Sequence, residues 1–305
     1  MQHPHLLHIF SPTKYVSPFD INMAYEAKFD AVIPYCNVEL EEIQALTQDT
    51  IFSRSPEGVR RTGIFIGGRE FDLALKMLAA ARAAMVPPFT VSVMADPSGA
   101  ITTAAAMVAL AEHWARKKAG GDLEGRRVCV FGGTGPIGVC TALLAARCGA
   151  EVAIVSHQGR GAALVAADRL SRAHEVKLDG LDGSSPAAVR AWLPDIEVLF
   201  SAARAGVEVV SADTLQLASR LVVIADANAV PPAGIAGVGV KDKGRALALA
   251  GGHEASALGA LAIGDIKYKV HTALLQQMYA APNPVFLAHE EAFATAREIV
   301  ARQKK

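Results

Sequence analysis

Hydrophobic positions along the chain follow two alternating rhythms: short unbroken apolar runs, and longer stretches with helical spacing. Leu6–Phe10, Asp30–Pro34, Thr62–Ile66 and Thr90–Met94 are the short runs in the first third. Ser17 is placed to cap a helix that opens at Pro18 and runs to about Lys28, with proline at its first position. Glu39–Thr47 and Phe71–Ala84 read as further helices. Strands alternating with helices predict a parallel α/β sheet. From Thr102 to about Lys118 the chain is an Ala-rich helix that stops at Ala119-Gly120-Gly121, and it is expected to bridge two domains.

Arg127–Phe131 has the pattern of a buried strand, and a glycine-rich turn follows it. Val139–Cys148 reads as a helix and Glu151–Val155 as the next strand. The alternation continues through Val198–Ser201 and Leu221–Ala225, until Asp226-Ala227-Asn228-Ala229-Val230-Pro231-Pro232 breaks it. Gly244–Gly259 is rich in Gly and Ala and reads as a loop. Ile266–Ala280 and Leu287–Gln303 read as helices, the last amphipathic and expected to pack on the first domain. The predicted fold is α/β. Two domains are expected, over residues 1–105 and 106–265, with C-terminal helices within 266–305 returning to the first.

Composition narrows the function classes. The chain has 305 residues, 51% of them hydrophobic, enough for real cores. Lys+Arg and Asp+Glu balance at 30 each, so there is no electrostatic footprint for nucleic acid and no polybasic segment for a membrane surface. Met1-Gln2-His3-Pro4-His5 lacks the basic and apolar regions of a signal peptide, and apolar windows such as Ala104–Ala111 are too short to span a bilayer. A cytoplasmic location is expected. Cys36, Cys129, Cys140 and Cys148 form no CxxC pair and have no His at metal spacing, so reduced structural thiols and no metal are expected. His3, His5 and His8 read as part of a frayed end rather than a metal site.

Gly133-x-Gly135-x-x-Gly138 matches the dinucleotide fingerprint, in the context that the motif requires: after an apolar strand, opening a helix, and before a second strand. Gly133 is assigned the tight turn, Gly135 the close approach of a pyrophosphate, and Gly138 the packing of helix on strand. The helix start offers free N–H groups and a positive dipole end to phosphates. Gly133, Thr134, Gly135, Pro136, Ile137 and Gly138 are therefore candidate cofactor contacts. NAD-selective enzymes place a carboxylate at the end of the second strand. Here Ser156-His157-Gln158-Gly159-Arg160 stands there. Ser156, His157 and Arg160 are candidates to meet the ribose or a 2′-phosphate, and both NAD and NADP are expected to serve.

Five segments then fall in order: Ser17-Pro18-Phe19-Asp20, Asp96 to Ala106, Phe131 to Pro136, Asp226 to Ile235, and Gly259 to Lys267. Together they resemble the methylene-tetrahydromethanopterin dehydrogenase family of methylotrophic bacteria, over nearly the whole chain. The resemblance implies a Rossmann NAD(P)-binding domain over 106–265 and a smaller α/β substrate domain over 1–105, closed by C-terminal helices 266–305, with a cleft between them. It also implies reversible NAD(P)-dependent oxidation of 5,10-methylene-tetrahydromethanopterin to the methenyl form, in formaldehyde oxidation. One branch of that family prefers NADP and carries a Gly-Arg-Lys stretch after the second strand. Ser156-His157-Gln158 takes its place here, which implies the branch that uses either nucleotide. A homo-oligomer is expected on the same ground and on general frequency.

The implied chemistry needs no general base, because the two nitrogens flanking the methylene carbon stabilise the cation left when hydride departs. By motif match Lys267 sits where the family has a functionally important lysine; on the residues alone it is a surface lysine with a snorkelling stem. An ammonium beside a forming cation opposes the reaction, so its expected role is to hold a pterin carbonyl or a carboxylate. Asp20 is a favourable first-turn charge or a partner of the amino-pyrimidine. Asp96 is a turn former or a substrate contact, and Thr102 caps the bridging helix, contacts substrate, or does both. Asn228 is a candidate contact of the nicotinamide ribose or amide. Three alternatives stay open: a methylene-tetrahydrofolate dehydrogenase, a shikimate- or amino-acid-type dehydrogenase of similar plan, and a non-catalytic NAD(P)H sensor.

Overall fold

A computed structural model describes residues 3–303. The chain divides into two compact units, Met1–Thr102 with Tyr268–Thr295, and Thr103–Lys267 with Ala296–Lys305.

In the first unit run β1 (Leu6–Phe10), α1 (Pro18–Glu26), β2 (Ala31–Tyr35), α2 (Ile43–Phe52), α3 (Pro56–Val59), β3 (Thr62–Ile66), α4 (Phe71–Ala83) and β4 (Ser92–Ala95). The strand β12 (Phe286–Leu287) completes a parallel five-stranded sheet, ordered β12-β4-β3-β1-β2. Every residue of β3 and β4 is buried, as expected of parallel strands covered on both faces. The Ser17 hydroxyl accepts from Phe19 N at 3.2 Å, and Pro18 occupies the first turn of α1.

The second unit holds β5 (Arg127–Phe131), α6 (Pro136–Arg147), β6 (Glu151–Ser156), α7 (Arg160–His174), β7 (Leu178–Asp182), α8 (Pro186–Trp192), β8 (Val198–Ser201), α9 (Ala212–Leu215), β9 (Val223–Asp226), β10 (Lys243–Ala248) and β11 (Glu254–Leu258). Its sheet is ordered β10-β11-β9-β8-β5-β6-β7. Six strands are parallel and β10 alone runs antiparallel. From the β7 edge this is the Rossmann order with one added strand, and it reverses between β5 and β8. Cys129, Leu199, Ile224 and Ala257 lie at its core. The unit boundary falls inside α5 (Ala100–Ala119) and α10 (Ala260–Ala280), and α11 (His289–Arg302) ends the fold. Gly120, at φ 73, terminates α5. No described helix is long and apolar enough to cross a membrane.

Four expectations are corrected. Gly244–Gly259 holds a β-hairpin rather than a loop. Its Ala-rich strands have weak β-propensity, but β11 is buried and pairs with β9 in the sheet. Helix α10 begins six residues earlier than expected, so Lys267 lies in mid-helix. The histidines near the N-terminus are tied down. His5 stacks on Tyr279 at 3.8 Å between ring centroids, His8 belongs to β1, and the His3 carbonyl accepts from Arg61 at 3.0 Å. Helix α11 does not pack wholly with the first unit. From Ala296 onward it groups with the second, where Arg297 makes two hydrogen bonds, at 2.6 and 2.7 Å, to the buried carboxylate of Glu112. A buried carboxylate needs such a partner, and that sets where the helix end goes.

Candidate active site

The reversal of strand order in the second unit lies where α/β sheets bind ligands, beyond the C-terminal ends of the strands. The glycine turn after β5 shows why each glycine is there. Gly132 has φ 71, and a Cβ on it would strike the Ala202 carbonyl. The tight turn assigned to Gly133 from the motif therefore belongs to Gly132. Gly133 instead makes room for Ile154 of β6, whose Cβ would lie 2.6 Å from an added methyl. A Cβ on Gly138 would overlap the Gly132 carbonyl, so this glycine lets α6 pack against the turn. Gly135 differs. A Cβ there meets only the Gly132 carbonyl oxygen, at 3.4 Å, and otherwise points into open space.

That space belongs to a cavity of about 1150 Å³, bordered by Thr134, Gly135, Ser156, His157, Arg169 and Ser184 among others. Pro136 and Ile137 open α6 rather than border the cavity, and proline at the first helical position leaves the following N–H groups available to an anion. Arg160 starts α7 and is exposed, outside the lining; Arg169, on the opposite face of α7 with Ala162, Val165 and Ala166, borders the cavity. Nothing in the pattern of residues 156–160 pointed to Arg169; the helical register of α7 selects it.

Asn228 also lies outside the lining. Its Oδ1 accepts from Val230 N at 2.9 Å and Gly206 N at 3.3 Å, and its Nδ2 donates to the Pro232 carbonyl at 3.0 Å. Asp226, buried at the end of β9, accepts from Asn228 N and Ile235 N, each at 3.0 Å. The two residues brace the 226–235 loop. These bonds occupy the Oδ1 of Asn228 and one of its two amide N–H groups.

In the first unit a polar cluster gathers at the C-terminal ends of β1, β3 and β4. Asp96 follows β4 and is fully buried. Its Oδ1 accepts from Ile101 N at 2.9 Å and Thr102 N at 3.2 Å, which caps α5. Its Oδ2 accepts from the Thr102 hydroxyl at 2.6 Å and faces His271 Nδ1 at 2.9 Å. Asp96 and Thr102, singled out as substrate contacts, are instead sealed in the interior with their polar atoms joined to each other. Asp20 is 4% exposed, and a methyl on Gly67 would sit between its Oδ2, at 3.7 Å, and the Ser11 hydroxyl, at 3.8 Å. Lys267 is half-buried in α10, one turn before His271. His271 and Ser11 were not singled out from the sequence. The signal for His271 was its place four residues after Lys267. Ser11 gave none beyond following a strand.

Residues 18–98 match the family described as methylene-tetrahydromethanopterin dehydrogenase, N-terminal. The chain is 41% identical over 294 residues to the NAD(P)-dependent methylenetetrahydromethanopterin dehydrogenase of Methylorubrum extorquens, covering 96% of this chain and 98% of that protein. It is 33% identical, with the same coverage, to the bifunctional protein MdtA of the same organism. Among solved structures it resembles shikimate 5-dehydrogenase of Listeria monocytogenes, with a TM-score of 0.54, 15% identity, and 98% and 97% of the two chains covered. It also resembles an NAD-dependent malic enzyme of Thermotoga maritima, with a TM-score of 0.52, 14% identity, and 97% and 85% covered. At such identities these two structures speak for the fold alone.

Proposed function

This chain belongs to the methylene-tetrahydromethanopterin dehydrogenase family, and from that membership we propose how its residues perform the reaction. It is an NAD(P)-dependent oxidoreductase that converts 5,10-methylene-tetrahydromethanopterin to the methenyl form. The observation that carries this reading is the 41% identity maintained over 96% of the chain, across both units.

The second unit suits a dinucleotide. Gly135 leaves the space a pyrophosphate needs, Gly138 brings α6 close, and the N–H groups at the start of α6 are the donors for it. The cavity beyond, bordered by Ser156 and His157, suits the adenosine half. When bound, the nicotinamide supplies the acceptor for a hydride.

The protein's part is to bind, orient and keep water away. Holding the reacting carbon in line is worth about 7–11 kcal/mol of the barrier. Excluding water protects a methenyl product that hydrolyses. In this reading Lys267 donates to a pterin carbonyl or a carboxylate of the carrier, away from the forming cation, and Asp20 receives the amino-pyrimidine N–H groups. Asp96 and Thr102 act through His271 and α5, as positioning residues. The reaction draws on the nicotinamide pool of the cytoplasm, and the working form is a homo-oligomer.

The test is absorbance at 340 nm with purified protein, NAD or NADP, and the methanopterin or folate carrier in turn. Reduction with the methanopterin carrier is the expected result. Reduction with methylene-tetrahydrofolate alone, or with neither carrier, overturns the reading.

A further inference from the structure

In a Rossmann sheet the adenosine ribose lies beside the end of the second strand, where a carboxylate favours a free 2′-hydroxyl over a 2′-phosphate. That strand is β6, and Ser156-His157-Gln158 at its end brings no carboxylate. The neighbouring strand does. Asp182 is the last residue of β7 and stands in register with Ser156, the last of β6. Register partners on adjacent strands point to the same sheet face. The Asp182 carboxylate accepts from the Ser184 hydroxyl, from Ser184 N at 2.9 Å, and from the backbone N–H of Arg160; these bonds hold it below the usual carboxylate range. Ser156 and His157 border the nucleotide cavity on one side of it, Gly183 and Ser184 on the other. Asp182 does not itself border the cavity; its negative charge lies behind the two lining segments, next to the strand end where the second strand's own acid is missing.

We propose that Asp182 sets the balance between the two nicotinamide nucleotides, working against the one that carries a 2′-phosphate. The inference rests on the reading of this cavity as the nucleotide site. NAD has no charge at its 2′ position and does not feel the carboxylate there. The 2′-phosphate of NADP does, and His157 and Arg169, which border the cavity, draw it in the opposite direction. Acceptance of both nucleotides follows from this opposition rather than from a site without carboxylates.

The test uses the full chain and needs no carrier. NADH and NADPH are titrated by nucleotide fluorescence into wild type, Asp182→Asn and Asp182→Glu, at low and high salt. D182N removes the charge and keeps one acceptor oxygen, while the other becomes an amide N–H₂. It is expected to tighten NADPH about three- to tenfold and to leave NADH within about twofold, with the gain shrinking as salt screens it. D182E, which keeps the charge, is expected to retain the wild-type ratio. An unchanged NADPH-to-NADH ratio in D182N, or an equal shift in D182E, overturns the inference while leaving the nucleotide site standing. Failure of wild type to bind either nucleotide overturns the site, and the inference with it.

Discussion

His271 Nδ1 and Asp96 Oδ2 stand 2.9 Å apart in the interior of the first unit, joined across 175 residues of sequence. A carboxylate only accepts, so Nδ1 carries the proton, and the imidazole is fixed in both tautomer and orientation. The pair ties α10 to the end of β4. Asp96→Asn replaces the buried acceptor with a weaker one and presents an N–H₂ where donors already converge. It is expected to lower stability by about 2–3 kcal/mol, read from urea unfolding. NADH affinity of the folded protein is expected to stay the same. Unchanged stability would show that the pair holds nothing together.

The glycines of the turn separate folding from binding. Gly138→Ala drives a methyl into the Gly132 carbonyl, and only a shift of α6 relieves it. A loss of about 2–4 kcal/mol is expected. Gly135→Val meets open space at a backbone of φ −82 and ψ 164, which any residue adopts. Its melting temperature should move little, while its NADH dissociation constant should rise at least about tenfold as the methyls occupy the pyrophosphate space. Equal loss of stability in both variants would argue that Gly135 serves the fold.

Lys267 tests the substrate side. Lys267→Ala is expected to lower kcat/KM for the carrier by about 10²-fold, and to leave NADH binding unaltered. Lys267→Arg should recover only part of the loss, because a guanidinium has a different reach and geometry. An alanine variant with wild-type kcat/KM would return Lys267 to the class of surface lysines.

Acid sensitivity has a traceable source in β1. Burial, with a smaller contribution from nearby Arg54, pushes His8 down to about 4, and its Nδ1 lies 3.2 Å from the Tyr35 hydroxyl. Between pH 4 and the ordinary histidine value of 6.5, the unfolded chain binds the proton and the folded chain does not. Stability is therefore complete above about pH 6.5 and falls as pH drops through this window, by about 2–3 kcal/mol for this group. His8→Gln should flatten that part of the stability–pH curve. The same slope in the variant would assign it to other groups.

Much of the fold was legible because its signals are local. Thr62–Ile66, Arg127–Phe131 and Val198–Ser201 are apolar runs with clear ends, and each became a strand over those bounds. The β10–β11 hairpin was not legible, since Ala and Gly carry no periodic contrast and its pairing with β9 is a long-range event. The glycine turn was found, but its tight-turn residue was misplaced by one, because φ is a property of the folded backbone and only Gly132 adopts the positive value. The sealed state of Asp96 and Thr102 was equally out of reach. Their spacing of six residues suggests a cap, yet the partner that closes the cluster, His271, comes from the far end of the chain. Asp182 was passed over for the same reason, as its neighbour Ser156 is brought to it by strand register.

Direct hydride transfer from the methylene bridge is the centre of this account, and isotope tracing reads it most simply. Carrier prepared with deuterium in the bridge is oxidised by the enzyme with NAD or NADP, and the reduced nucleotide is analysed by mass spectrometry and NMR. Direct transfer puts one deuterium at the nicotinamide C4 for each methenyl product formed, and releases none to water. Reduced nucleotide without deuterium, with the label in solvent, would contradict it.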